Sequence, residues 1–330
     1  MASFVALVQN EVLKILRKKR FYVVLLILAL LVPLFVYAQM RQVQSFVRQS
    51  GTTDWRVEVQ QRIADYQRAL TSARIPEEWK KWRRIQIQKL EYYLEHDVNP
   101  NALSGLQFTR RFLENAVSLF IPLMVMVVSA DLVSGEHTAG TIKLLLSRPV
   151  RRWKILTSKL VALVLFASLT TAAAAVISYA IAGAVFGYGG WTMPEFVGFR
   201  VVGTEVDVSA VRVVPLWQYV WMECGLVWFV ALSVGCLSFA LSVLIRSTAA
   251  GMGVMLALLI SGSILSSMAE SWKTAKYFFM VNLQLTDYLA GDPPPIEGMS
   301  LPFSLAVLGA TAAAGLVVAY AVFTRKDVLN

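Results

Sequence analysis

Six stretches of this chain, 21–40, 115–130, 160–194, 224–245, 247–269 and 298–324, contain no Asp, Glu, Lys or Arg. That pattern constrains the fold more than any motif does, because a membrane-spanning helix needs about 20 mostly apolar residues. Five of the runs are long enough, whereas 115–130 is short and draws on Leu106 to Leu113 at its outer end. Hydrophobic residues make up 57% of the chain and charged residues 16%, with a mean hydropathy of +0.58. Soluble domains carry about a quarter charged residues, so the chain reads as an integral membrane protein. A backbone in lipid must satisfy its own hydrogen bonds, and these runs are continuous rather than alternating, so helices are expected instead of barrel strands. Only Arg246 separates 224–245 from 247–269; one helix through both would be about twice the hydrocarbon thickness, which predicts a tight hairpin. The expected fold class is an all-α polytopic membrane protein with six transmembrane helices.

Lys and Arg orient these spans. Lys14, Arg17, Lys18, Lys19 and Arg20 precede the first run, and Lys143, Arg148, Arg151, Arg152, Lys154 and Lys159 separate the second from the third. Arg246 lies on the same side, as do Arg325 and Lys326, while the short loops opposite hold only Arg200, Arg212, Lys273 and Lys276. The positive-inside rule then puts both termini in the cytoplasm. The net charge of +10 is mostly a topology signal; a nucleic-acid binder would gather its basic residues on one exposed domain with groove-reading motifs, and none is present. Val36 and Ala38 weakly mimic a signal-peptide cleavage site, but Pro33 interrupts the run and five more follow, so the first span reads as an uncleaved anchor. Phe4, Val8, Val12 and Ile15 recur at helical spacing opposite Gln9, Asn10, Lys14 and Arg17. This predicts an N-terminal amphipathic helix on the inner membrane face, with a continuation of the first span into water as the alternative.

The resulting layout is an amphipathic helix at 1–20, spans at 21–40, 106–130, 160–187, 216–245, 247–269 and 300–324, and a tail at 325–330. Between the first two spans, residues 41–105 carry eleven Lys or Arg and eight Asp or Glu, as in a folded extracytoplasmic insertion. Val59, Ile63, Tyr66 and Leu70 form one helical stripe, and Trp79, Trp82, Leu90 and Tyr93 form another when Ile85 to Ile87 fill the gap. Pro76 followed by Glu77 and Glu78 suits a helix start. A helical hairpin closed by Asn99 and Pro100 is expected, with the Trp pair facing a substrate, a partner or the hairpin core. The outer segment 188–215 predicts a short strand pair or an irregular flap. Segment 270–299 carries Trp272, Tyr277, Phe278, Phe279 and Tyr288 before a proline run, and reads as a re-entrant amphipathic stretch.

Catalytic chemistry finds no footing. The chain contains no phosphate loop, HExxH zinc pair, GxSxG elbow or CxxC. Cys224 and Cys236 are twelve residues apart within one apolar run, too far along a helix to bridge, and read as buried small residues. His96 and His137 fall on opposite sides of the membrane in this topology. Glu223 lies a turn or two into the fourth span beside Trp217, Trp221 and Trp228; intramembrane acids tend to face a cavity or partner, so Glu223 and Trp221 are candidates for a translocation path or for headgroup-level residues. Gly183 and Gly187 suit close helix packing.

The cytoplasmic island 131–159 reads DLVSGEHTAGTIKLLLSRPVRRWKILTSK. Thr138 is positioned to cap a short helix from Ala139 to about Ser147, with Ile142, Leu145 and Leu146 on one face and Pro149 as its stop. In its order of Asp131, Gly135, Glu136, Gly140, Thr141, Leu144 to Leu146, Arg148, Pro149, Arg152 and Lys159, the island resembles the signature of ABC-2 type transporter permeases, the membrane subunits of bacterial ATP-driven exporters. The ending Phe323-Thr-Arg325-Lys-Asp327 is similar to the family's C-terminus. The resemblance implies a coupling helix that docks on a separate ATPase subunit, with Asp131, Gly135, Glu136, Gly140, Thr141, Leu145 and Arg148 as coupling residues. It further implies no cofactor in this chain, ATP and Mg on the partner subunit, a second permease chain, surrounding lipid, no nucleic-acid partner, and location in the bacterial cytoplasmic membrane. An alternative reading of the residues has Asp131 and Glu136 merely offsetting nearby cations while Gly135 and Gly140 permit a turn. The competing functional class is a membrane sensor or scaffold whose outer hairpin binds a ligand and whose island docks a regulator.

Overall fold

The computed structural model describes residues 4–72, 75–142, 150–268 and 272–325. The chain is a mostly helical multi-pass membrane protein. It begins with α1 (Phe4–Arg17) and α2 (Arg20–Ser50), followed by α3 (Trp55–Leu70) and α4 (Glu77–Glu95). Next come α5 (Gly105–Ala116), α6 (Phe120–Ser129), the single turn α7 (Ser134–Thr138) and the long α8 (Arg152–Phe186). After a small β flap the bundle is completed by α9 (Leu216–Leu244), α10 (Thr248–Met268), the short α11 (Asp287–Ala290) and α12 (Leu301–Arg325). Among the described residues five helices, α2, α8, α9, α10 and α12, are long and apolar enough to cross a membrane. The pair α5 and α6, bent by 64°, makes a sixth if counted as one broken span.

Burial separates the roles of these helices. In α9, 67% of the apolar window is buried, against 28% in α2, 22% in α10 and 17% in α12. α9 is therefore the central post, and the other three turn most of their surface outward, where lipid or another chain can cover it. α9 leaves the flap at Leu216, reaches the α1 end of the bundle at Ser242, and the chain turns back at Ile245–Ser247 into α10. On its return α10 brings Gly262 against Met280 at the far end, so the predicted break at Arg246 is a chain reversal. α5 meets α8 through Gly105 and Gly183, and the amide of Gly105 donates to the carbonyl of Gly187 at 2.9 Å. Cys224 and Cys236 are free thiols.

Several boundaries differ from the sequence expectation. The first run ends at residue 40, yet α2 continues ten residues further to Ser50, because nothing breaks the helix until Gly51 takes a left-handed φ of 68°. Pro33 is accommodated inside α2. The hairpin of α3 and α4 is present, with Val59, Ile63, Ile87 and Leu90 as its core and Trp55, Tyr66, Leu70 and Leu94 packed around it. Asp54 caps α3 by accepting from the Arg56 amide at 3.0 Å. Trp79 is exposed, and Trp82 meets Tyr66 edge-on at 5.8 Å.

The flap consists of two nested antiparallel ladders, β1 (Pro194–Val197) with β4 (Arg212–Pro215) and β2 (Arg200–Val202) with β3 (Glu205–Asp207). Phe196 and Phe199 of the flap pack on Tyr93 and Val98. Ala275 and Val281 of the 3-10 turns Lys273–Tyr277 and Phe279–Asn282 pack with Ile296 and Met299 in a small satellite core.

The island differs most. A helix from Ala139 to about Ser147, capped by Thr138, was expected; Thr138 instead ends α7, its hydroxyl donating back to the Ser134 carbonyl at 3.0 Å, and helix resumes only at Ile142. Gly140 adopts a φ of 67°, its amide donates to the His137 carbonyl, and the Thr141 amide donates to that of Glu136. This is a glycine-closed helix terminus, which satisfies the last carbonyls and turns the chain away. Residues 143–149, including Leu145, Arg148 and Pro149, lie outside the described residues.

Candidate functional site

Where α1 crosses the end of the bundle, charges from four segments meet away from solvent. α1 carries Glu11 on the same stripe as Leu7 and Ile15, four residues apart in each direction, and all three are buried. The predicted face is thus rotated: Phe4, Val5 and Leu13 are exposed instead. A helix seated this way presents one apolar stripe to the bundle and another outward, which suits a membrane surface. Lys14, expected on the solvent side, is half-buried.

Glu11 accepts from Lys159 Nζ at 2.7 Å, and Lys14 Nζ lies 3.2 Å away. Lys159, on α8, is 1% exposed and also approaches Glu136 at 3.6 Å. Glu136 in turn accepts from Lys14 at 2.7 Å and from the Thr141 hydroxyl. A second knot joins the first. Asp131 accepts from Lys18 at 2.7 Å and Arg20 at 3.0 Å, and Arg20 also donates to the Val127 carbonyl. Gly135 makes room for it, since a Cβ there would stand 2.3 Å from Asp131 Oδ1.

The island is tied equally to the central post. Ser242 Oγ on α9 accepts from the amides of Val133 and Ser134 at 3.0 and 2.9 Å. Ser134 Oγ lies 2.8 Å from Thr248 Oγ1 at the start of α10. Three carboxylates and four cations therefore fasten α1, the start of α2, α7 and α8 to one another, and two hydroxyls extend the cluster to α9 and α10.

Electrostatics of the cluster follow from these contacts. Burial by itself would raise the Glu136 carboxyl, but hydrogen bonds from Lys14 and Thr141 and the charges of Lys159 and Lys14 outweigh it and bring it from 4.5 to about 2. For Lys14, burial pulls downward and the partnership with Glu136 and Glu11 pulls harder upward, so its pKa lies above 10.5. The sign of the pH effect is then set. The Glu136 contribution is complete above 4.5 and disappears as pH falls towards about 2, whereas that of Lys14 is complete below 10.5 and lost above it. Thermal unfolding of wild type and Glu136→Gln across this range is expected to show a margin that is full at neutral pH and closes below 4.5; a margin independent of pH would mean that the carboxylate is not ion-paired.

The sequence candidates separate in space. Asp131, Gly135 and Glu136 are buried with their side chains or Cα turned into the bundle, while Thr138, Ala139 and Gly140 at the end of α7 are exposed. Thr141 binds Glu136. Glu223 and Trp221 diverge: Glu223 is 1% exposed and Trp221 69% exposed, because residues two apart on a helix point to opposite faces. Both Glu223 carboxyl oxygens are buried without a hydrogen-bond partner among the described residues. Glu11, Ser242 and Thr248 were missed by motif reading; an acid spaced four residues from Leu7 and from Ile15 on one stripe was the available signal for Glu11.

Known proteins resemble this chain along most of its length. It is 25% identical over 326 residues to the uncharacterized protein YhcI of Bacillus subtilis, covering 98% of this chain and 99% of that one. It is 26% identical over 215 residues to the uncharacterized membrane protein YdbK of the same organism, covering 64% of this chain and 80% of that one. Residues 80–329, from within α4 to the C-terminal region, match the family described as "Protein of unknown function (DUF2705)", and the chain belongs to that family.

Proposed function

We propose that the chain is the membrane permease subunit of an ATP-driven ABC transporter of the ABC-2 type, with its energy supplied by a separate ATPase subunit that binds ATP and Mg. The observation that carries this reading is the buried ion-pair cluster, which fastens a small exposed turn to five helices of the bundle. A push on that turn moves helices rather than a loop. In this reading six spans cross a bacterial cytoplasmic membrane, both termini and the island face the cytoplasm, and the α3–α4 hairpin with the flap stands outside. A second permease chain completes the pore, and ATP-driven closure of the partner shifts the two bundles between alternative packings. The cargo is an amphiphile such as a peptide, antibiotic or lipid-linked molecule, because the spans offer apolar walls with few fixed charges, and export is the direction.

Within the island the roles divide by exposure. Thr138, Ala139 and Gly140 touch the ATPase, and Asp131, Gly135 and Glu136 position that surface from beneath. Co-expression with an ABC ATPase tests this. Ala139→Cys is expected to cross-link to the ATPase, and Ala139→Arg to lower hydrolysis in the complex by tenfold or more, as for an interface residue worth about 1.4 kcal/mol. Full hydrolysis and transport in Ala139→Arg would sink the coupling assignment. Nucleotide-independent ligand binding by the hairpin, without an ATPase partner, would favour a sensor.

A further inference from the structure

At the far end of the bundle the polar extension of α2, the α3–α4 hairpin, the top of α5, the flap and the segment at Asp292 border an open cavity of about 360 Å³. Arg62, Lys89, Arg110 and Arg111 line it together with Glu114, Glu195 and Asp292. A second cavity of about 230 Å³ adjoins it, sharing Gln42, Arg62, Asn101 and Arg111. Neither belongs to the cluster described above, and the transport reading does not use them.

The carboxylates of the larger cavity are already satisfied. Asp292 accepts from Lys89 and Gln86, each at 2.7 Å. Glu195 accepts from the Tyr93 hydroxyl at 2.7 Å and from Gln107 at 3.4 Å, and Glu114 from Arg110 at 3.2 Å. Glu58, in the adjoining cavity, takes Arg62 at 3.0 Å and Asn101 at 2.9 Å. Glu223 lies one helical turn below Tyr219 and outside the lining.

The arginines are not satisfied to the same degree. Arg110 Nε is buried without a partner among the described residues. Arg111 donates only to neutral acceptors, the Pro100 carbonyl at 3.0 Å and Asn101 Oδ1 at 2.7 Å, and makes no ion pair within the described residues. An unfilled buried donor and a guanidinium without a direct ion pair are costly in isolation. Guanidinium donors match phosphate and carboxylate oxygens in pairs.

We propose that this cavity binds an anionic phosphate or carboxylate group, held by Arg110 and Arg111 with Arg62 at the entrance. Such a group comes from an anionic lipid or from a water-soluble anion. The lipid source fits the depth, because the exposed Tyr188 and Trp191, packed on the partly buried Tyr179, mark a headgroup-like aromatic belt at the same end of α8. The site does not rest on the ATPase reading and stands or falls separately.

The experiment has two arms on the full chain. In phosphatidylcholine nanodiscs at low salt, inorganic phosphate and pyrophosphate are titrated against the thermal midpoint. In discs containing phosphatidylglycerol, the lipid retained by the purified protein is counted by native mass spectrometry. A rise in midpoint with either soluble anion assigns a water-soluble ligand, and selective phosphatidylglycerol retention assigns a lipid headgroup. In the responding arm, Arg111→Gln and Arg62→Gln are each expected to weaken binding by about tenfold or more, the loss typical of a charge-assisted hydrogen bond, with partial recovery in Arg111→Lys. Arg62 is the safer probe of folding, since its side chain is 34% exposed. No response in either arm, or unchanged affinity in both glutamine variants, overturns the proposal.

Discussion

Lys159→Ala is expected to destabilise the protein by about 3–5 kcal/mol, the usual cost of removing one partner from a buried ion pair. The ammonium lies 2.7 Å from Glu11 and 3.6 Å from Glu136, and the lysine side chain is 1% exposed. Alanine would leave both carboxylates sharing Lys14 as their one ion-pair partner among the described residues. Removing both charges is a different case, because an apolar pair of similar volume often replaces a buried ion pair with little loss. Lys159→Met combined with Glu11→Met should therefore lose much less than Lys159→Ala. Denaturant unfolding in micelles measures both variants, and limited proteolysis should cut α1 sooner in the single variant. Equal losses in the two would show that packing, not charge, holds α1 to α8.

Gly105→Ala is the second large effect, about 2–3 kcal/mol, in the range of overpacking a tight contact. A Cβ at Gly105 would stand 2.8 Å from both the Cα and the amide nitrogen of Gly183 and 3.2 Å from the Gly187 carbonyl oxygen. Those atoms are backbone, so no rotamer change relieves the contact and α5 must move off α8. That shift also breaks the 2.9 Å hydrogen bond from the Gly105 amide to Gly187. Gly225→Ala is the control: its Cβ meets nothing within 4 Å, and helix propensity predicts a gain of up to about 1 kcal/mol. A midpoint for Gly105→Ala no lower than that of Gly225→Ala would contradict the close approach.

Much of the candidate site could be read from the chain, though not what its residues touch. Asp131, Gly135 and Glu136 stood out through the ABC-2 resemblance, but their orientation did not. Exposure and ion pairing depend on Lys14 of α1 and on Lys18 just after it, which lie more than a hundred positions earlier in the sequence. The start expected for the island's helix, with Thr138 as its cap, was misplaced for a local reason. Thr138 can start a helix or bond back to Ser134, and the left-handed Gly140 made the second arrangement the stable one. The rotated face of α1 has a non-local cause: Glu11 is drawn inward by Lys159, 148 residues away, and the helix turns with it.

Hydropathy alone determined that the protein is helical and membrane-embedded, because lipid leaves each apolar run no way to satisfy its backbone except within itself. Local punctuation likewise specified the α3–α4 hairpin and the chain reversal at Arg246. Only the tertiary structure decided which helix is the central post, which acids are buried, and that the turn Thr138 to Gly140 faces outward. Those properties come from side chains brought together across the whole chain, and a charge is stable in such a place only when its counter-charge arrives with it.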